Sequence, residues 1–279
     1  VTADPTWTGI GSTAAGDAAY KLTISDESTV ANFNGVTLTG NAATALTVNI
    51  NSDLDDVIYG ATAYNLGQLT AHGITSMNVV ISDEDVTAGA APALTTISNI
   101  WSKTMESFSV SAADDVNLGT VSGSPLNNSL TSFDATAVGG DLTATVISLG
   151  NNAAVTLGNG DNVFSALGSA GTNITITAGN GDNTITGSGQ KDTITTGSGH
   201  DVISGDRGDN IISSGAGNDT VSGKDGNDTY DVGTGIDTVT DNLLTGLNGT
   251  LATNTVSMSG GVTTLFIDVD GAATGLEID

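Results

Sequence analysis

From Ala178 to Thr240 an inward-type side chain returns every nine residues: Ile185, Ile194, Ile203, Ile212, Val221, Tyr230 and Val239. Triplets such as Thr184-Ile185-Thr186 and Thr193-Ile194-Thr195 alternate with period two, which predicts short strands with one residue facing a core. The residues before each triplet are rich in Gly and end in Asp or Asn, which predicts a tight turn. The segment therefore divides into seven contiguous nonapeptides: AGNGDNTIT, GSGQKDTIT, TGSGHDVIS, GDRGDNIIS, SGAGNDTVS, GKDGNDTYD and VGTGIDTVT. An eighth, LGNGDNVFS, stands upstream at 157–165. Position four is Gly in all seven contiguous units except the one with Gln190, and position six is always Asp or Asn.

A nine-residue strand-turn unit stacks as a half-coil, so two units complete one turn of a flattened solenoid. Turns of units n and n+2 then share an edge, roughly 4.8 Å apart. Position six forms two columns: Asp192, Asn210 and Asp228 on one edge, and Asn183, Asp201, Asp219 and Asp237 on the other. Upstream the pattern is looser but related. Gly73-Ile74-Thr-Ser-Met77, Ala93-Leu94-Thr-Thr-Ile97 and Ser129-Leu130-Thr-Ser-Phe133 each place two apolar residues around a polar pair, like rungs of an irregular solenoid. Alternating stretches at Val36–Thr39, Leu46–Ile50 and Phe108–Ser111 also predict strands. The expected organisation is all-β: an irregular β-solenoid or β-sandwich region preceding a β-roll, with a β-rich segment over 1–65, an irregular β-solenoid over 66–165, the β-roll over 166–240 and a C-terminal β cap over 241–279. The strands of the first sixty residues fit a small sandwich equally well.

Charge changes the picture most. The 279 residues hold 31 acidic and 5 basic side chains, a net charge of −26. Nucleic acid and anionic membrane would be repelled, whereas multivalent cations would be attracted. The acids are spread along the chain, 15 before residue 157 and 10 within 178–240, so they do not form a solvated tail. No cysteine is present, which excludes disulfides and thiolate metal sites. The two histidines, His72 and His200, belong to no H-E-x-x-H, and no G-x-S-x-G occurs, so the zincin and serine-elbow motifs are missing and no catalytic set is expected. No apolar run approaches the ~18 residues of a membrane helix. The chain begins at Val1 without a signal-peptide pattern, as expected of a mature product or an excised piece.

Carboxylates stacked at sheet spacing repel unless a cation lies between them. Calcium suits such gaps: it is a hard ion taking six to eight oxygens with tolerant geometry, and Gly-rich turns leave carbonyls available. Counting gaps gives two ions in the Asp192 column and three in the Asn183 column, about five in all. The 201–219 and 219–237 gaps, with Asp at each end, are expected to bind most tightly. Gaps bordered by Asn183 or Asn210 should bind more weakly, because an amide oxygen adds no net charge. One small core side chain per nonapeptide is little to set against the entropy of ordering the segment, so 178–240 is expected to fold on binding calcium.

These units resemble the RTX (repeats-in-toxin) family, whose repeat is G-G-x-G-x-D-x-U-x. The resemblance implies a right-handed parallel β-roll loaded with calcium, with secretion through a type I exporter. It implies ligands from the position-six side chains Asn183, Asp192, Asp201, Asn210, Asp219, Asp228 and Asp237. It also implies carbonyl ligands from Gly179, Gly181, Gly197, Gly199, Gly208, Gly215, Gly217, Gly226, Gly233 and Gly235. Ser188, Gln190, Asp206 and Lys224 depart from the repeat and set the Asp192 column apart. Ser129–Thr136 and Gly139–Val146 further resemble the rungs of RTX-type surface-layer proteins of Gram-negative bacteria. That second resemblance implies a secreted lattice on the cell surface, self-association, and an outer-membrane glycolipid anchor contacted by other parts of the full-length protein. The alternatives are a segment of a large RTX adhesin or the non-catalytic tail of a type I-secreted hydrolase.

Other signals are weaker. Asp268-Val-Asp270-Gly271 with Glu277 has part of an EF-hand spacing, but Phe266 stands at the first ligand position and the flank reads as a strand. Asp53, Asp55 and Asp56, and likewise Asp83, Glu84 and Asp85, are acid clusters at strand ends, read as solvated loops or extra calcium sites. His200, at variable position five, is expected to be exposed and inert. Trp7, Tyr59 and Trp101 read as packing residues. The Thr184/Thr186 and Thr193/Thr195 pairs have the spacing of a flat ice-binding face, which Val202 interrupts.

Overall fold

The computed structural model describes residues 6–8, 19–26, 36–38, 44–52, 63–65, 67–71, 73–83, 94–123, 128–171, 173–241, 254–257, 264–269 and 276–278. No helix occurs among them. Each of two sheets holds thirteen of the described strands, and from Asn99–Trp101 onward successive strands alternate between them, so each sheet grows by one strand per coil. Pairing is parallel throughout except for Thr6–Thr8, which runs antiparallel to Ala19–Asp26 at one end. The architecture is a parallel β-solenoid.

In the nonapeptide region the register confirms the half-coil. Thr184 pairs with Val202, Val202 with Thr220 and Thr220 with Thr238, each step being eighteen residues. On the facing sheet Thr193 pairs with Ile211 and Ile211 with Thr229 at the same step. The position-eight residues, Ile185 through Val239, are buried between the sheets while their strand neighbours face outward. Burying the apolar member of each triplet is what turns a period-two pattern into a two-sheet stack.

Upstream the coils are longer. Ser76 pairs with Ser107, thirty-one residues on, Val116 with Leu142, twenty-six on, and Thr143 with Val163, twenty on. Register shifts between Ser109 and Ser111 and between Asn117 and Gly119 absorb part of this irregularity. The rungs turn inward as their spacing suggests: Ile74 and Met77, Ile97, and Leu130 with Phe133 are all buried. Phe133 stacks on Phe108 at 5.3 Å within its sheet and meets Phe164 of the facing sheet at 5.6 Å. The N-terminal strand Ala19–Asp26 pairs in parallel with Ala45–Ser52, which pairs in parallel with Ser76–Asp83. They extend the solenoid, so the early segment forms no separate sandwich there.

Candidate metal centre

Each nonapeptide delivers its position-six residue at the end of a turn, just before a strand or, for Asp192 and Asp237, within its first two residues, and the side chain is buried at the edge of the stack. All seven position-six residues are buried. On one edge they form a hydrogen-bonded ladder. The backbone N–H of Asn183 donates to Asp201 Oδ1 at 2.9 Å, that of Asp201 to Asp219 Oδ1 at 2.9 Å, and that of Asp219 to Asp237 Oδ1 at 3.0 Å. On the other edge Asp192 N–H donates to Asn210 Oδ1 at 2.9 Å and Asn210 N–H to Asp228 Oδ1 at 2.8 Å. The two columns are those the nine-residue spacing predicts.

Only one oxygen of each carboxylate on the first edge is used this way. The Oδ2 atoms of Asp201, Asp219 and Asp237 are buried and accept no hydrogen bond. A buried carboxylate oxygen without a donor is costly, and a cation is the usual remedy. Burial raises the carboxyl of Asp219, and the like charges of Asp201 and Asp237 add to it; burial likewise raises Asp237. Among the described residues no three His, Asp or Glu side chains gather as a metal cluster. A site on this edge therefore draws on backbone carbonyls as well as carboxylates, an all-oxygen set that fits calcium.

The glycines make that approach possible. Gly217 and Gly235 have φ of +147° and +149°, and a Cβ at either would collide with the carbonyl oxygen of the turn above, Gly199 or Gly217. Only glycine lets successive turns stack this closely with their carbonyls at the edge.

The Asp192 edge is furnished differently. Ser188 donates its N–H to Asp192 Oδ2 at 2.6 Å, and its hydroxyl lies 3.0 Å from both carboxylate oxygens. Burial still pushes the Asp192 carboxyl up to about 6. Asn210 donates its amide to the carbonyls of Gly208 at 3.1 Å and Gly223 at 3.4 Å. Asp206 and Lys224, two of the departures from the repeat, adopt positive φ and face each other across 3.5 Å.

Sequence reasoning missed a second ladder, at position five. Asp115 Oδ1 accepts from Asp141 N–H, Asp141 from Asp161, Asp161 from Asp182 and Asp182 from His200, at 2.7–2.8 Å. His200 Nδ1 accepts from Asn218 N–H at 3.0 Å, and Asn218 Oδ1 from Ile236 N–H at 2.9 Å. His200 is exposed, as expected, and forms a rung of this ladder. The recurrence of Asp161 and Asp182 at position five was the available signal. Asn162, position six of the upstream unit, was also missed as a member of the buried column.

The remaining acid clusters contribute nothing that can be described. Asp53, Asp55, Asp56, Glu84, Asp85 and Asp270 lie outside the described residues, as do Tyr59 and His72, while Asp83 and Asp268 lie in the strands Ser76–Asp83 and Thr264–Val269. Val202 stands half-exposed between Thr184 and Thr220 in its sheet, breaking the Thr column.

Residues 175–203 and 204–239 match the model of the RTX calcium-binding nonapeptide repeat, about a quarter of the chain. No curated protein and no solved structure matches it.

Proposed function

The chain carries RTX calcium-binding nonapeptide repeats, and from that premise we propose that it is part of a secreted surface-layer protein that builds a calcium-dependent lattice on a Gram-negative cell. The observation that carries the calcium part of this reading is the set of buried, unpartnered Oδ2 atoms on Asp201, Asp219 and Asp237. Calcium supplies the positive charge and oxygen coordination that those atoms lack. The gaps 201–219 and 219–237, with a carboxylate at each end, are the strongest positions. Asp192, Asn210 and Asp228 form the second column, in which Asn210 already donates its amide to the carbonyls of Gly208 and Gly223. The chain's own part is to hold the carboxylates in register through the N–H ladder and to bring Gly carbonyls to the same edge.

A structural role is supported by the regularity of the molecule. Two long sheets present rows of small polar residues, such as Thr156, Thr177, Thr195 and Ser213 in one column. Repeating faces of this kind suit lateral packing of identical subunits. The reading assigns no catalysis to this chain and leaves attachment to a membrane glycolipid to other parts of the protein. Negative-stain electron microscopy of chelated protein, before and after millimolar calcium, tests it. Ordered two-dimensional sheets that require calcium are expected. Single rods that never associate would overturn the lattice and favour the adhesin reading.

A further inference from the structure

The buried column on the Asp201 edge changes character along the chain. By strand register it runs Val116, Leu142, Asn162, Asn183, Asp201, Asp219 and Asp237, all fully or almost fully buried. Apolar side chains give way to amides, and amides to carboxylates.

The two amide nitrogens are bonded alike, while Asn183 Oδ1 accepts from Asn162 and Asn162 Oδ1 accepts no hydrogen bond. Asn183 Nδ2 donates to the carbonyls of Gly181 at 2.8 Å and Gly179 at 3.3 Å, and to Asp201 Oδ1 at 2.9 Å. Asn162 Nδ2 donates to the carbonyls of Gly160 at 2.7 Å and Gly158 at 3.2 Å, and to Asn183 Oδ1 at 2.9 Å. Each nitrogen thus sits among two carbonyls of its own turn and the side-chain oxygen of the next. At the eighteen-residue register the corresponding oxygens around Asp201 are the carbonyls of Gly197 and Gly199 and the carboxylate of Asp219. Those are the oxygens a calcium ion would need. An amide nitrogen with its two hydrogens and a metal ion cannot share one oxygen cage.

Resting on the calcium reading above, we infer that Asn162 and Asn183 are built-in substitutes for the ion. They close the 162–183 and 183–201 gaps to calcium and make the coils that carry them independent of metal. The amide-filled coils form a permanent platform. Asp201 Oδ1 is held on it by two donors, Asn183 N and Nδ2, both at 2.9 Å, so the first carboxylate of the calcium-binding set is positioned before any metal arrives. The calcium-dependent coils then begin at Asp201.

Hydrogen exchange of the full chain, calcium-stripped and in millimolar calcium, locates the boundary. Amides within 142–186 should keep their protection in both conditions, whereas those within 205–241 should exchange at least about tenfold faster without calcium. Equal loss of protection on both sides of Asp201 would overturn the inference. Asn183→Asp removes the substitute: by native mass spectrometry it should bind one calcium more than the wild type, and protection within 174–186 should become calcium-dependent. An unchanged count in a folded Asn183→Asp chain would overturn the inference while leaving the calcium reading intact. A wild-type chain that binds no calcium would overturn both. If the variant does not fold, the wild-type exchange boundary alone decides.

Discussion

Position six is where a single side chain selects between filling an edge site and leaving it for an ion. Asn183 donates into its turn, Asp192 is held by Ser188, and Asp201, Asp219 and Asp237 each keep one oxygen without a donor. The nine-residue recurrence made the identity and column of each of these residues legible. Their orientation was not legible, because an Asn and an Asp at the same position look alike to periodicity while their nitrogen and oxygen demand opposite partners. Ser188 was visible only as a departure from the repeat; that its N–H and hydroxyl would both turn to Asp192 depends on a turn geometry no spacing encodes. At this scale Gly217 is the most exacting position, because it combines a φ of +147° with contact to the Gly199 carbonyl. Gly217→Ala should cost about 1–3 kcal/mol in backbone strain alone. A thermal melt in calcium should show the lowered stability, together with weaker calcium binding in a titration.

At the scale of elements, the short strands and their eighteen-residue step followed directly from the apolar pattern, since one buried residue per triplet leaves a single register. The upstream coils were read as irregular rungs, and their inward residues were correctly picked out in pairs such as Leu130 and Phe133. Their lengths were not legible, because bulges at Ser109–Ser111 and Asn117–Gly119 change the count without changing the apolar pattern. Phe133 joins the two sheets through Phe108 and Phe164. Phe133→Ala should therefore destabilise the upstream coils by about 3–5 kcal/mol in denaturant unfolding, with the calcium count by native mass spectrometry unchanged.

The buried carboxylates also give the elements a pH dependence. Asp192 is raised from its ordinary 3.8 to about 6 by burial, and Asp219 and Asp237 shift the same way. The folded chain then holds protons that the unfolded chain has released. Its stability without calcium is greatest below the unfolded value and is lost as pH rises through about 6. A calcium-stripped chain should melt at a higher temperature near pH 4.5 than near pH 7, followed by circular dichroism. Melting that rises with pH would mean that the charged carboxylates are already satisfied by protein groups.

At the scale of the whole molecule, a chain of net charge −26 is organised into a stack whose buried edge concentrates carboxylates in its later coils. The early coils are held by apolar and aromatic packing, whereas the nonapeptide coils add a buried column of carboxylates. The charge alone pointed to a cation, and the repeat pointed to where; the exposed position-five ladder of Asp115, Asp141, Asp161 and Asp182 shows that part of the acidity is spent on joining coils. The central claim is that Asp201, Asp219 and Asp237 hold calcium between them, and Asp219 borders both gaps. Native mass spectrometry of the wild type and of Asp219→Asn in millimolar calcium counts the ions directly. The account predicts about two or more ions on the wild type and at least one fewer on the variant. A wild type without calcium, or a folded variant with the full complement, would contradict it.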